Sequence, residues 1–309
     1  MNERQEQRAA WVTGASSQIG VFLLPRLRAA GYRVFAISRK APREPLALDP
    51  GVVWLRPEAA LRPDSVAGLE VTGRAADLVS AGPLELASRL LGVRPSRRIV
   101  AFSTSSVHSK RRSADATERK AVLEIGKAEA MLRSLSRGHG VPLLLLRPTL
   151  IYGCGRDRNV SLMARLGRRF RFIPVAGEAP GRRAPVHADD LAALTVTALE
   201  SEPAADFESA ACGGATLSYR EMATAIADLP SVGARVLSMP PRLLAAAAGA
   251  LSVLPRWRGI HAEMVRRQGR DLVFDDSALR ERLDWAPRPF QPLESDFSVP
   301  GECLRLQLP

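Results

Sequence analysis

Between Ala9 and Pro148, short apolar runs alternate with amphipathic segments, and this alternation restricts the chain to few architectures. "AAWVT", "YRVFAIS", "VVWL", "ADLVS", "RIVAFST" and "PLLLLRP" read as strands at residues 9–13, 32–38, 52–55, 76–80, 98–104 and 142–148. Helical periodicity fills residues 18–30, closed by Gly31, and residues 117–137, closed by Gly138. Pro25 lies inside the first helix, where its missing N–H predicts a local bend. Near-continuous apolar strands separated by helices imply a parallel sheet covered on both faces. Right-handed crossovers then give an α/β fold with a doubly wound, Rossmann-like sheet.

After Gly153 the texture changes. Residues 153–159 read as a loop, 160–170 as a basic helix and 174–185 as a second loop. A helix resumes at "HADDLAALTVTALES", with Asp189 and Asp190 suited to its N-terminal end. Ser218 and Glu221 form a capping box for a further helix. The expected division is a dinucleotide-binding domain over residues 1–153, to which 184–200 return, and a smaller substrate-binding lobe over 154–309. The apolar run "LLAAAAGALSVL", residues 243–254, is too short to span a bilayer and reads as a buried helix. Because Arg242, Arg256 and Arg258 flank it, an interfacial helix is the alternative.

The formal net charge is +12, and almost all the surplus is arginine, since the lysines are Lys40, Lys110, Lys120 and Lys127. Such charge attracts phosphorylated small molecules, anionic lipid or nucleic acid. The arginines are scattered without aromatic interleaving or a nucleic-acid motif, so nucleic acid is not an expected partner. Stable membrane insertion is not expected either. Cys154, Cys212 and Cys303 lie far apart and make neither a metal spacing nor a disulfide framework. With the polar start "MNERQEQRAA", which resembles no signal peptide, this suits a cytoplasmic protein.

The stretch "TGASSQIG" follows the first strand and opens the first helix. Gly14 and Gly20 fill the outer places of a GxxGxxG spacing, and Ser17 stands at the middle one. Small residues there permit a tight turn and close approach of a pyrophosphate to Ser16, Ser17, Gln18 and Ile19. At the end of the second strand, Ser38, Arg39 and Lys40 replace the acidic residue that would accept a ribose 2′-hydroxyl. Two cations and a hydroxyl suit a 2′-phosphate, so NADP(H) is favoured over NAD(H).

These segments resemble the extended short-chain dehydrogenases/reductases, the NAD(P)-dependent epimerase/dehydratase family. "WVTGASSQIG", "SAGP", "AFSTSSVH", "LRPTLIYGCGRDRN", "APVHADDLA" and "LDWAPRPF" occur in the family's order. The resemblance implies that Ala81, Gly82 and Pro148 pass the cofactor, and that Thr104 or Ser105 orients a substrate oxygen. It also places Lys127 at the family's lysine, with roles in cofactor binding and catalysis. Leu123 then stands where the family has its proton-transferring tyrosine. His108 is a candidate replacement acid. Arg156, Arg158, Arg182 and Arg183 suit the anionic end of a substrate.

Two functions follow. One is an NADP(H)-binding oxidoreductase of the epimerase/dehydratase type acting on a nucleotide sugar or another anionic hydroxyl or carbonyl compound. The other is a non-catalytic dinucleotide-binding structural or sensor protein. Expected partners are the small anionic substrate and, as an open alternative, a second copy of the chain in a homodimer.

Overall fold

A computed structural model describes residues 8–43, 46–62, 64, 75–202, 206–252, 262–304 and 306. In chain order, the first half contains β1 (Ala9–Thr13), α1 (Gln18–Ala29), β2 (Arg33–Ile37), β3 (Leu46–Asp49), β4 (Val52–Leu55) and α2 (Pro57–Ala60). It continues through β5 (Ala76–Ser80), α3 (Leu84–Leu91), β6 (Ser96–Phe102), α4 (Ser106–Ser109), α5 (Ala116–His139) and β7 (Leu143–Pro148). The second half begins with β8 (Ile151–Tyr152), α6 (Val160–Phe170), β9 (Phe172–Ala176), β10 (Arg182–Arg183), β11 (Val186–His187) and α7 (Ala188–Glu200). β12 (Phe207–Ala211), β13 (Leu217–Ser218), α8 (Tyr219–Ala227), β14 (Arg235–Met239) and α9 (Pro241–Ser252) follow. The last helices are α10 (Ala262–Arg267), α11 (Ser277–Leu283) and α12 (Gly301–Leu304).

The main sheet has the order β12-β7-β6-β5-β1-β2-β4-β3. Seven strands are parallel, and β3 closes one edge antiparallel to β4. Period-two alternation assigns each side chain to a face. Ala10, Val12, Val34, Ala36, Val79 and Val100 meet Leu23, Leu27, Leu191 and Leu194 of α1 and α7. Trp11, Phe35, Ile37, Leu78, Ile99 and Leu145 meet Leu84, Leu90, Ala128 and Leu132 of α3 and α5 on the other face. The expected doubly wound architecture is therefore present. Strand order reverses between β1 and β5, which sets a crevice at their carboxyl ends.

Several boundaries differ from the sequence expectations. Gly138 lies within α5, and the helix is closed at Gly140, whose φ of 66° suits glycine at a helix end. The return to the main sheet extends past residue 200, because β12 pairs with β7. Part of the expected 174–185 loop is strand, since β9 runs to Ala176 and β10 pairs with β13. The expected buried helix at residues 243–254 lies on the surface as α9. Only Leu244 and Ala248 are buried among the residues of α9 whose burial is described, because the sheet β9–β14 and α10 cover one side alone. Val253, Leu254, Arg256 and Arg258 lie outside the described residues.

The lobes are joined by charge at the start of α7. Asp189 accepts both arms of Arg26 from α1, at 2.7 and 2.8 Å, and a bond from Arg288 at 2.9 Å. Asp190 accepts from the Arg288 side chain at 2.8 Å and from its backbone N–H at 3.0 Å. Burial pushes the Asp189 pKa up, but the hydrogen bonds and charges of Arg26 and Arg288 together hold it below the usual carboxylate value. A depressed folded-state pKa stabilises the fold above the unfolded value of about 3.9 and loses that contribution as pH falls through the lower folded value. Asp189→Asn is expected to cost about 1–2 kcal/mol at pH 7, toward the low end because both arginines are more than a third exposed. Urea unfolding from pH 7 to pH 2 checks this: the difference between wild type and variant should shrink only in the acid limb.

Candidate functional site

The turn after β1 is tight because three backbone segments meet there. Gly14 has φ of 67°, and a Cβ on it would lie 2.5 Å from backbone atoms of Ala81 and Gly82, just past β5. A Cβ on Gly82 would come within 2.9 Å of the Gly14 Cα, and one on Gly20 within 2.5 Å of the Gly14 carbonyl oxygen. The glycines are thus required first by the protein's own backbone at the switch point. Ser17 caps α1, its hydroxyl accepting from the Gly20 N–H at 3.1 Å. Gln18 and Ile19 open the helix, where first-turn amides lack intrahelical acceptors and favour an anion.

Beyond β2, the Ser38 hydroxyl lies 2.9 Å from that of Ser16 and accepts from the Lys40 N–H at 3.2 Å. Ser38 is buried, whereas Arg39 and Lys40 are exposed. The end of β2 therefore presents two cations beside a fixed pair of hydroxyls.

A cleft of about 400 Å³ opens between the carboxyl edge and the smaller lobe. Gln18, Thr104, Ser105 and Ser109 line it from the sheet side, together with Thr149–Ile151. The Gln18 Nε2 atom is buried and donates to no protein group. The Thr104 hydroxyl accepts from the Ser106 N–H at 3.1 Å, and the Ser105 N–H donates to the Pro148 carbonyl at 3.1 Å. Both candidate hydroxyls therefore stand in the cleft, held by the turn between β6 and α4.

The lining is also cationic: Lys110, Arg156, Arg158, Arg183 and Arg267 all border the cleft. Arg156 reaches over the turn and donates to the Ser16 carbonyl at 2.7 Å. Arg183 is buried, donates to the carbonyls of Arg182, Arg267 and Arg270, and lies 5.8 Å from the Tyr219 ring centre. Burial lowers its pKa. Arg182, its neighbour, is exposed and does not line the cleft.

Glu118, on α5, accepts from Lys110 at 2.9 Å, Ser113 at 2.7 Å and Arg267 at 2.6 Å. Burial pushes its carboxyl pKa up, yet these bonds together hold it well below the usual carboxylate range. The sequence carried no sign of this junction, because Glu118 and Arg267 come from different lobes. Tyr219 lines the cleft as well, its phenol pushed up to about 12 by burial. Its capping neighbour Ser218 announced the helix but not the cleft.

The comparisons with known proteins agree with this architecture. A family model described as the NAD dependent epimerase/dehydratase family matches residues 10–209. The chain belongs to that family. It is 28% identical over 201 residues to the uncharacterised protein y4nG of Sinorhizobium fredii, covering 62% of this chain and 49% of that protein. It is 25% identical over 184 residues to UDP-glucose 4-epimerase of Vibrio cholerae, covering 59% and 52%. The chain thus spans about half the length of the curated relatives it matches. Among solved structures it superposes on UDP-glucuronic acid 4-epimerase from Bacillus cereus in complex with NAD. That match has a TM-score of 0.67 and 13% identity, covering 96% of this chain and 99% of that one. UDP-glucose 4-epimerase of Thermotoga maritima with UDP-glucose superposes with TM-score 0.64 and 15% identity, covering 96% and 98%.

In this epimerase/dehydratase frame the remaining expected residues fall outside the cleft lining. Lys127 is on the exposed side of α5, its ammonium 2.9 Å from the Glu124 carboxylate. Leu123, one turn earlier, is exposed as well. His108 lines a neighbouring cavity of about 330 Å³ with Arg147, Glu208, Phe274 and Asp275, and among the described residues only Ser105 borders both spaces. His187 is buried. Its Nδ1 accepts from the Asp189 N–H at 3.1 Å, so Nε2 carries the proton facing Asp296 at 3.2 Å.

The collision geometry separates two roles of the turn. Gly14→Ala is expected to destabilise the fold by about 2 kcal/mol or more, through left-handed strain plus overlap with Ala81. Ser17→Ala should cost only about 1 kcal/mol, the usual value of a lost cap. Urea denaturation of the two variants tests the order, which equal losses would refute.

Proposed function

We propose that the chain binds NADP(H) along the carboxyl edge of the main sheet and acts as an oxidoreductase of the epimerase/dehydratase type. Its substrate is a nucleotide sugar or another anionic compound bearing a hydroxyl or carbonyl. The observation that carries this reading is the glycine turn at the strand switch, opening beside a cleft walled by five cations. The residues fit a dinucleotide. The cradle at Gly14 and Gly82 excludes side chains, the first turn of α1 offers amides, and the buried Gln18 amide turns a free donor into the cleft.

The dinucleotide supplies hydride transfer when bound. The chain supplies the rest. Ser16, Ser17 and Ile19 surround the pyrophosphate, Ala81, Gly82 and Pro148 flank the cofactor, and Ser38, Arg39 and Lys40 take the 2′-phosphate. Thr104 and Ser105 hold the reacting oxygen of the substrate, and Arg156, Arg158 and Arg183 hold its anionic end. Lys127 is recruited to the cofactor ribose by exchanging Glu124, an exposed partner of the kind that binds weakly.

Calorimetric titration with both cofactors tests the cation argument. NADP(H) should bind at least about tenfold more tightly than NAD(H), a difference of about 1.4 kcal/mol. Arg39→Asp should erase or invert the preference. Equal affinities in the wild type would overturn the assignment.

A second reading, a non-catalytic dinucleotide-binding protein, is favoured by the resemblance that aligns Leu123 with the family's tyrosine and by a cleft lining without histidine among the described residues, which do not include His261. Leu123→Tyr returns a phenol one helical turn from Lys127. If the protein is an enzyme whose proton step is slowed by the leucine, the variant should oxidise NADPH about tenfold faster with activated carbonyl substrates. Tight NADP(H) binding with no turnover in either protein would establish the second reading instead.

A further inference from the structure

The smaller lobe carries an exposed face that the cleft does not use. β9 and β14 pair in parallel, with Phe172 beside Arg235, Pro174 beside Leu237 and Ala176 beside Met239. Side chains alternate across a strand, so Ile173 and Val175 enter the lobe's core while these six share the opposite face. Helices α9 and α10 cover one end of that face, where Leu244, Ala248 and Val265 pack with Ala176 and Met239. The other end stays open. Phe172 and Leu237 are 37% and 48% exposed, Phe170 at the end of α6 is 42% exposed, and Leu243 on the covering helix α9 is 61% exposed. The rings of Phe170 and Phe172 lie 6.2 Å apart. Among the described residues, four of the nine exposed large apolar side chains belong to this region.

Arginine dominates the surrounding charge, with the carboxylates of Glu178 and Glu294 at its border. Residues 160–176 and 235–252 include Arg165, Arg168, Arg169, Arg171, Arg235 and Arg242, all exposed, and contain neither Asp nor Glu. Arg168 turns toward Glu294, at 3.5 Å, and Arg171 donates to the Val232 carbonyl at 3.0 Å. Arg169 stacks over Phe170, its guanidinium 5.6 Å from the ring centre.

We propose that this face docks the protein on an anionic lipid surface, with Phe170, Phe172, Leu237 and Leu243 entering the headgroup boundary and the arginines meeting lipid phosphates. Charge complementarity selects this occupant. A second copy joined through the same face would set arginine against arginine. A single-stranded nucleic acid stacks its bases on aromatic rings, whereas beyond Phe170 and Phe172 the large exposed side chains of this region, Leu237 and Leu243, are aliphatic. Arginines around protruding apolar side chains match the bilayer interface, where each contributes to binding of anionic lipid. Among the described residues no helix is long and apolar enough to cross a membrane.

Cosedimentation of the full chain with vesicles tests this, using phosphatidylcholine alone or mixed with phosphatidylglycerol. The wild type should bind the mixed vesicles, release as salt is raised, and bind phosphatidylcholine at least about tenfold more weakly. Arg169→Glu with Arg242→Glu, and separately Phe172→Ser with Leu237→Ser, should each lower partitioning about tenfold or more, with circular dichroism unchanged. Absent binding, binding indifferent to headgroup charge or salt, or folded variants that bind like wild type would overturn the proposal. So would displacement of the protein from mixed vesicles by poly(U), which would mark the face as a nucleic-acid surface. The headgroup and salt comparisons use only the wild type, so a misfolded variant leaves the test intact.

Discussion

The contact on which the rest depends is the crossing of Gly14 against Ala81 and Gly82. It brings the ends of β1 and β5 to within one side chain of each other, and there is no room for that side chain. Because those strands flank the point where sheet order reverses, the crossing defines the floor of the crevice. Ala81 N–H donates to the Thr13 carbonyl at 2.9 Å, and the Thr13 hydroxyl donates to that of Ser80 at 3.2 Å. The floor is therefore rigid on the sheet side, and any ligand lying on it meets backbone.

Arginine organises the remainder. Arg97 grips Asp77 through two bonds of 3.0 and 2.8 Å, and Arg147 grips Glu129 at 2.9 and 2.7 Å while reaching Glu208 at 2.8 Å. These pairs tie strand ends to neighbouring elements, as Arg26, Arg288 and Asp189 tie α1 to α7. A planar guanidinium meets a carboxylate through two parallel bonds, which a lysine cannot do. Much of the positive charge visible in the composition is thus structural. The surplus is uneven, concentrated in the cleft and on the outer face of β9 and β14.

How far the sequence disclosed this follows from the same physics. Buried strands such as β1, β2 and β6 stand out because both faces are apolar, and α1 and α7 because their caps and periodicity are local. β12 was silent: four of its five residues are not fully buried, and "FESAA" carries no apolar run. α9 misled because alanine is apolar enough to suggest burial, yet small enough to remain at the surface. The glycine turn after β1 was legible as a spacing, but the backbone collision that requires its glycines was not, since Ala81 lies 67 positions from Gly14 in the chain. The Glu118–Arg267 junction is hidden for the same reason: ion pairs between lobes have no local signature.

The cleft's cations are not equivalent, and the difference bears on what it can hold. Lys110 and Arg267 share the Glu118 carboxylate, so part of their charge is cancelled before any ligand arrives. Arg156 and Arg158 are exposed, where salt screens them and their influence falls mainly on capture of an anion from solution. Arg183 differs from both. Its partners are three carbonyl oxygens, which are dipoles, and among the described residues no carboxylate forms an ion pair with it. Its charge therefore stands in a buried, weakly screened place on the cleft that Thr104 and Ser105 also line. A positive charge there favours the ionised form of a nearby hydroxyl. A ligand oxygen that gained negative charge within reach of Arg183 would meet a cation already fixed and desolvated, with no reorganisation left to make.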